Sequence, residues 1–149
     1  MNPINEVRLE FVSKSSNESF ARVVAAAFVS QIDPNLEELA DVKTAVSEAV
    51  TNAIIHGYEN EPGFVKMTLK LYEDAVEISV TDEGKGIEDI EKARQPMYTS
   101  RPDMERSGMG FTVMESFMDR VDVVSEVGKG TTVTMFKTFN SVRGRKNTP

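Results

Sequence analysis

The chain has no cysteine among its 149 residues. Disulfides and thiolate metal sites are therefore excluded, and an intracellular setting is expected. Basic residues are also in deficit: 17 Lys and Arg stand against 24 Asp and Glu, giving a formal net charge of -7 and a pI near 4.8. A general nucleic-acid binder needs the opposite balance, with cations facing phosphates, so no direct nucleic-acid contact is expected. Long apolar runs are missing as well. The longest covers residues 23–29, far short of the roughly 20 residues that span a bilayer. Met1 to Glu6 lack the basic and apolar regions of a signal peptide. The expected localisation is cytoplasmic, away from membranes.

Against these absences, 40% of the residues are hydrophobic. A chain of this size buries roughly 68–70% of its unfolded surface, enough for a real core. One domain over residues 1–140 is expected, followed by a short basic tail at 141–149, expected to be disordered.

Val7, Leu9 and Phe11 alternate with Glu6, Arg8 and Glu10, the period of a half-buried strand. Ser15 and Glu18 stand at capping-box spacing ahead of an apolar helix that reaches about residue 32. Asp33-Pro34 predicts an N-cap and a first-turn proline for a second, longer helix. That helix runs to Gly57, which suits a left-handed C-terminal cap. Residues 64–72 and 75–81 read as strands joined by a tight turn at Glu73-Asp74. Residues 87–95 have a helical pattern. Residues 96–107 are polar, contain proline and show no period, which predicts a functional loop. Helix resumes at 109–118, and 121–125 with 131–139 form a hairpin around Gly128-Lys129-Gly130. Because strands and helices do not alternate, the expected class is α+β: a two-layer sandwich with helices on one face of a mixed, mostly antiparallel sheet.

Three clusters carry chemistry. Glu48, Asn52 and His56 recur every four residues on the second helix. Four residues advance a helix by about 400°, so these three share one face, opposite Leu36, Leu39, Val46, Val50, Ala53 and Ile54. Alone, such a column is also what an ordinary solvated face looks like. Asp82-Glu83-Gly84-Lys85-Gly86 follows a strand directly. Its glycines let backbone approach a flat ligand, and a buried Asp could accept from an exocyclic amine. A plain strand-to-helix turn would fit the same residues. Ser107-Gly108-Met109-Gly110-Phe111, preceded by Arg106, brings a loop into a helix N-terminus, where backbone N–H groups suit phosphate. It matches neither a Walker A loop nor a Rossmann fingerprint, and a simple helix cap reads the same way.

In this order the clusters resemble the N, G1 and G2 boxes of the GHKL (Bergerat-type) ATPase/kinase superfamily, and Lys129-Gly130-Thr131-Thr132 resembles its final Gly-Thr element. The residues 47–58 (SEAVTNAIIHGY) and 105–111 (ERSGMGF) resemble the anti-sigma-factor serine kinases within it, as do residues 17–22 and 93–96. The likeness covers residues 7–139.

The resemblance implies ATP or ADP as ligand, with Mg²⁺ on the Asn52 side-chain oxygen and Glu48 as general base toward a serine hydroxyl. It implies that Asp82 reads the adenine amine with help from Thr131, and that Gly84 and Gly86 make room for the base. Residues 96–107 would form a lid over the phosphates, contributing Thr99, Ser100, Arg106 and Ser107. Arg106 and the amides around Gly108, Met109 and Gly110 would neutralise phosphate charge. His56 would close the helix and pack near the nucleotide, the alternative being a direct catalytic role. Residues 99–102 read Thr-Ser-Arg-Pro, a variant of the Thr-Thr-Lys-Pro of close relatives that keeps hydroxyl and charge. Met97, Met104, Met109, Met114 and Met118 are expected mostly in packing or dimer contacts.

The implied partners are a sporulation-type sigma factor, held on a surface including Arg22, and an anti-anti-sigma protein that accepts phosphate on a serine. A homodimer is also implied. Two rivals stand beside this reading: a non-catalytic, nucleotide-gated binding module, and the ATP-binding part of a split histidine kinase. The second needs a phosphoacceptor histidine on another chain, because the one histidine here is His56.

Overall fold

The computed structural model describes residues 2–59, 61–95 and 110–146. Five strands, β1 (Asn5–Val12), β2 (Phe64–Leu71), β3 (Ala75–Asp82), β4 (Arg120–Glu126) and β5 (Gly130–Thr138), form one sheet in the order β1-β2-β3-β5-β4. Every pairing is antiparallel, so the parallel component allowed for in the sequence reading does not occur among the described strands. The hairpins β2–β3 and β4–β5 account for two of the four pairings, since a short turn can only return a strand antiparallel.

Alternation sorts the two faces. Val65, Met67, Leu69, Leu71, Val76, Ile78, Val80, Val133 and Met135 point inward and are buried, while Lys66, Thr68, Lys70, Ser79, Thr81, Thr132 and Thr134 fall on the other side. Helices α1 (Ser16–Val29), α2 (Leu36–Asn52) and α4 (Gly110–Phe117) contribute Ala21, Ala25, Phe28, Val42, Val46, Val50, Phe111 and Met114 to the same core. Each fully buried large aliphatic side chain contributes about 1.5–3 kcal/mol by leaving water. Met114 and Met118 are packing residues, as expected; Met97, Met104 and Met109 lie outside the described residues. No helix among the described residues is long and apolar enough to cross a membrane.

The helix ends differ from expectation. Ser15 makes no side-chain cap bond and is itself helical, at φ -59 and ψ -29. Its would-be partner Glu18 turns to Arg22 instead, at 3.5 Å. The cap of α2 is Asn35, not Asp33. Asn35 Oδ1 accepts the Glu38 N–H (2.8 Å) and Glu38 Oε1 accepts the Asn35 N–H (3.0 Å), a complete capping box. Asp33 closes the preceding 3-10 turn (Ser30–Ile32) in a left-handed conformation, φ 54. With the start thus shifted, Leu36 is 83% exposed and leaves the apolar face it was assigned to. Helix α3 covers only Ile90–Ala93 of the 87–95 expected; it starts late because Asp89 caps it, accepting the Lys92 N–H at 3.1 Å.

The basic C-terminal segment is not an extended tail where it is described. It forms α5 (Asn140–Lys146), anchored by buried Phe139 and Val142. Ser141 donates its N–H (3.2 Å) and its hydroxyl to the buried Glu38 carboxylate. Arg143 pairs with Asp74 at 2.9 Å, and Arg145 donates to the Ile32 carbonyl at 3.2 Å. Burial raises the Glu38 pKa, but the bonds from Ser141 and Asn35 outweigh it and leave it below its usual value.

Candidate functional site

Helix α2 ends by widening. Its last turn, Ala53–Gly57, is π-helical, closed by the Tyr58 N–H on the Ala53 carbonyl at 3.0 Å. Single π turns of this kind are frequent at functional sites. Here the turn lays Gly57 against the end of β3. A Cβ on Gly57 would fall 2.6 Å from Asp82 Cγ and 2.7 Å from both carboxylate oxygens. Gly57 is thus required for its missing side chain; it is not among the residues with positive φ, and the left-handed cap expected there is not formed. Gly84 fits behind it: a Cβ there would lie 2.0 Å from the Gly57 carbonyl oxygen, which itself accepts the Lys85 N–H at 2.9 Å.

These contacts surround Asp82, whose residue is only 5% exposed. Burial pushes its carboxyl up to about 6, against the lowering effect of backbone N–H groups from Gly84 (2.9 Å to Oδ1) and Thr131. The π turn, the end of β3 and β5 together hold a carboxylate out of water with acceptor capacity left over, since two oxygens offer about four sites. A buried, perturbed carboxylate in a cleft is a candidate functional group, and its spare lone pairs could accept from an N–H donor.

Asp82 opens into a cleft of about 870 Å³, within the range of small-molecule sites. Its described wall includes Asn52, His56 and Gly57 from α2 and its last turn, Val80 and Asp82 from β3, and Gly86 and Ile87 from the following loop. Gly110 and Phe111 of α4 and Ser125, Thr131 and Val133 of the closing hairpin complete it. Six of the sequence-predicted residues, Asn52, His56, Asp82, Gly86, Gly110 and Thr131, therefore meet on one surface. Gly84 lies behind that wall. Gly86 adopts φ 79, and a Cβ there would lie 2.3 Å from the Glu126 carbonyl, so it also serves the contact between this loop and the β4–β5 hairpin.

Glu48, half-buried one turn before Asn52, is not on the described wall. Arg22 sits on α1, paired with Glu18 and away from the cleft. Thr99, Ser100, Arg106, Ser107, Gly108 and Met109 lie outside the described residues, as does the segment read as a lid. Among the described residues, no group of three or more His, Cys, Asp or Glu side chains could hold a metal ion.

Two site residues escaped the sequence reading. Ser125 Oγ accepts the Ile87 N–H at 2.7 Å and lies 2.7 Å from Thr131 Oγ1. Tyr58 donates its hydroxyl to the Phe64 carbonyl (2.6 Å) and accepts the Glu83 N–H (2.7 Å), tying down the loop after Asp82. Ser125 acts through a contact 38 residues away, which no local motif signals; Tyr58 closes the 47–58 stretch, but its bond to Glu83 is not legible there.

Residues 12–137 match the histidine kinase-like ATPase domain family. The chain is 64% identical over 137 residues to an anti-sigma F factor of Clostridium botulinum, covering 91% of this chain and 96% of the relative. It is 59% identical over 136 residues to an anti-sigma F factor of Geobacillus stearothermophilus, covering 91% and 93%. Among solved structures, the RsbU and RsbW domains of a Mycobacterium tuberculosis protein superpose with a TM-score of 0.65 at 19% identity, over 91% of this chain and 33% of that one. A histidine kinase domain from Erythrobacter litoralis superposes with a TM-score of 0.55 at 17% identity, over 85% of this chain and 63% of that one. At those identities the structures speak for the fold, and the sequence relatives for the family. The chain belongs to the anti-sigma F factors, within the histidine kinase-like ATPase domain family.

Proposed function

We propose that the protein binds ATP in this cleft, phosphorylates a serine of an anti-anti-sigma protein, and sequesters a sporulation sigma factor while nucleotide is bound. The observation that carries the reading is Asp82. A carboxylate this buried, in a cleft walled by glycines and a threonine, is suited to the exocyclic amine of adenine. Membership of the anti-sigma F factors supports the sigma partner, and a cytoplasmic homodimer belongs to the same proposal.

The residues fit a magnesium nucleotide. The amide oxygen of Asn52 is the kind of hard donor Mg²⁺ prefers, and with no group of three or more acidic or histidine side chains among the described residues placed to hold a metal, most of the remaining ligands would be phosphate oxygens and water. Bound there, Mg²⁺ would supply charge neutralisation at the β- and γ-phosphates. The protein's own part is positional. Asp82 and Thr131 fix the base, Asn52 and the N-terminus of α4 face the phosphates, and Phe111 and Val133 keep the cleft apolar. In the transfer, the serine Oγ bonds to the γ-phosphorus as its bond to the β–γ bridging oxygen breaks. ADP leaves, and the serine proton passes to Glu48 and then to solvent. Such transfer depends mostly on positioning and charge stabilisation.

One observation favours a second reading. Because Glu48 is not on the described wall of the cleft, a nucleotide-gated clamp without phosphotransfer fits the geometry as well. Incubation with γ-labelled ATP, Mg²⁺ and the anti-anti-sigma protein separates the two. Label on a serine, reduced when Glu48 is replaced by Gln, supports the kinase. Sigma-factor binding that depends on ATP, without labelling, supports the clamp.

A further inference from the structure

Helix α3 is a wall of the cleft with little of its own to hold it. All four of its residues line the cavity. None of them is buried, and Ala93 is its one hydrophobic residue packed against the core. The next residue supplies the attachment. Arg94 donates through Nε to Glu115 Oε1 of α4 at 2.9 Å, and its Nη2 lies 2.7 Å from the same oxygen. Nη2 also donates to the Val121 carbonyl of the edge strand β4 at 2.9 Å. We propose that Arg94 is a positioning residue that fixes α3 against α4 and β4 and so keeps the N-terminus of α4 aligned with the nucleotide phosphates. This rests on the adenine-nucleotide reading above.

The packing of α4 gives this contact its importance. Gly110 and Phe111 line the cleft, while Phe111 and Met114 are buried in the core. Apolar burial is non-directional, so it sets the depth of a helix more than its rotation. Glu115 comes four residues after Phe111, on the same side of α4 and one turn further from the cleft. A planar guanidinium that meets a carboxylate and a carbonyl at once fixes direction as well as distance. At the far end, Lys137 donates to the Phe117 carbonyl at 2.9 Å and pairs with Asp41 of α2 at 3.5 Å. α4 is thus pinned at its C-terminus by Lys137 and along its flank by Arg94, with Gly110 at the cleft.

The Arg94–Glu115 pair supplies alignment more than bulk stability. Its side chains are 30% and 44% exposed, and ion pairs this open to water add little to the stability of a fold. None of the three contacts reaches Asp82, Thr131 or the π turn, which form the base end of the cleft. Loss of Arg94 should therefore weaken the hold on phosphate and spare the hold on the nucleoside.

The test measures ADP by calorimetry and adenosine by displacement of a fluorescent ADP derivative. It uses the full chain, Arg94→Ala, Glu115→Ala and the double variant. Either single change should lower ADP affinity by about three- to tenfold, a large part of what a helix N-terminus contributes to an anion, and leave adenosine affinity unchanged. The double variant should lose no more than Arg94→Ala alone, because both changes remove the same contact. Arg94→Lys, which keeps the charge but not the fork, should fall between Arg94→Ala and the unaltered protein. Equal weakening of ADP and adenosine would make Arg94 a general structural support and overturns the proposal. An unchanged ADP affinity overturns it too, as do additive losses in the double variant. If the unaltered protein binds neither ligand, the nucleotide reading itself fails.

Discussion

Replacing Asp82 by Asn should make the protein more stable and a poorer binder of adenine nucleotide. The carboxyl titrates near 3.8 when unperturbed and at about 6 when buried in the fold. The difference is roughly two units, and at about 1.4 kcal/mol per unit it corresponds to about 3 kcal/mol. Its sign follows from linkage. Between pH 4 and 6 the folded protein holds a proton that the unfolded chain has released, so stability falls as pH rises through that window. Above it the full cost of the buried charge is present. The Asp82→Asn variant lacks that cost, so its advantage should reach up to about 3 kcal/mol at pH 7.5 and shrink toward zero near pH 4. Urea unfolding of both proteins without nucleotide, from pH 4 to 8, measures the difference and cancels every other titrating group. Affinity should move the opposite way: a hydrogen bond to a charged acceptor contributes about 1.5–3 kcal/mol, a tenfold to hundredfold loss for ADP. A gain in stability with a loss of binding marks a residue held under strain for a ligand. A variant less stable than the parent at pH 7.5, or a difference that does not change with pH, would refute the reasoning.

Gly57→Ala should push the Asp82 carboxylate from its place, costing about 1–3 kcal/mol of stability and most of the ADP affinity; unfolding and calorimetry read the two losses. Asn52→Ala should leave unfolding nearly unchanged while removing the effect of Mg²⁺ on ATP affinity, measured by titration with and without the metal. Glu48→Gln should retain ATP binding and slow serine phosphorylation by about 10² to 10⁴-fold, scored in single-turnover assays. Ser141→Ala should cost about 1–3 kcal/mol by leaving the buried Glu38 carboxylate short of a donor, and should expose the amides of α5 to hydrogen exchange.

Much of this was legible in the sequence because it is local or periodic. The alternation in residues 6–11 gives β1, and the four-residue column Asn52–His56 gives a wall of the cleft. Asp82 at a strand end announces its own position. What stayed hidden is long-range. Gly57 reads as a helix terminator, yet its missing side chain makes room for Asp82, 25 positions later in the chain. The α2 cap was open to inspection: Asn35 and Glu38 have capping-box spacing, but Asp33-Pro34 offers a competing start signal, and only the fold decides between them. The 3-10 turn takes Asp33, and Ser141 stands over Asn35 and Glu38, with its own N–H and hydroxyl on the Glu38 carboxylate. The basic residues of α5 suggested a solvated tail because charge dominates its composition, while its anchors Phe139 and Val142 are only two. Ser125 carries no motif at all; its place in the cleft arises from strand register.

The central claim is that the cleft beside Asp82 holds an adenine nucleotide. Calorimetric titration of the protein with ATP and with GTP, each with Mg²⁺, tests it most directly. Saturable binding of ATP at one site per chain is expected, with GTP at least about tenfold weaker, by loss of the amine–carboxylate bond. Absence of saturable ATP binding, or equal affinity for the two nucleotides, would contradict it.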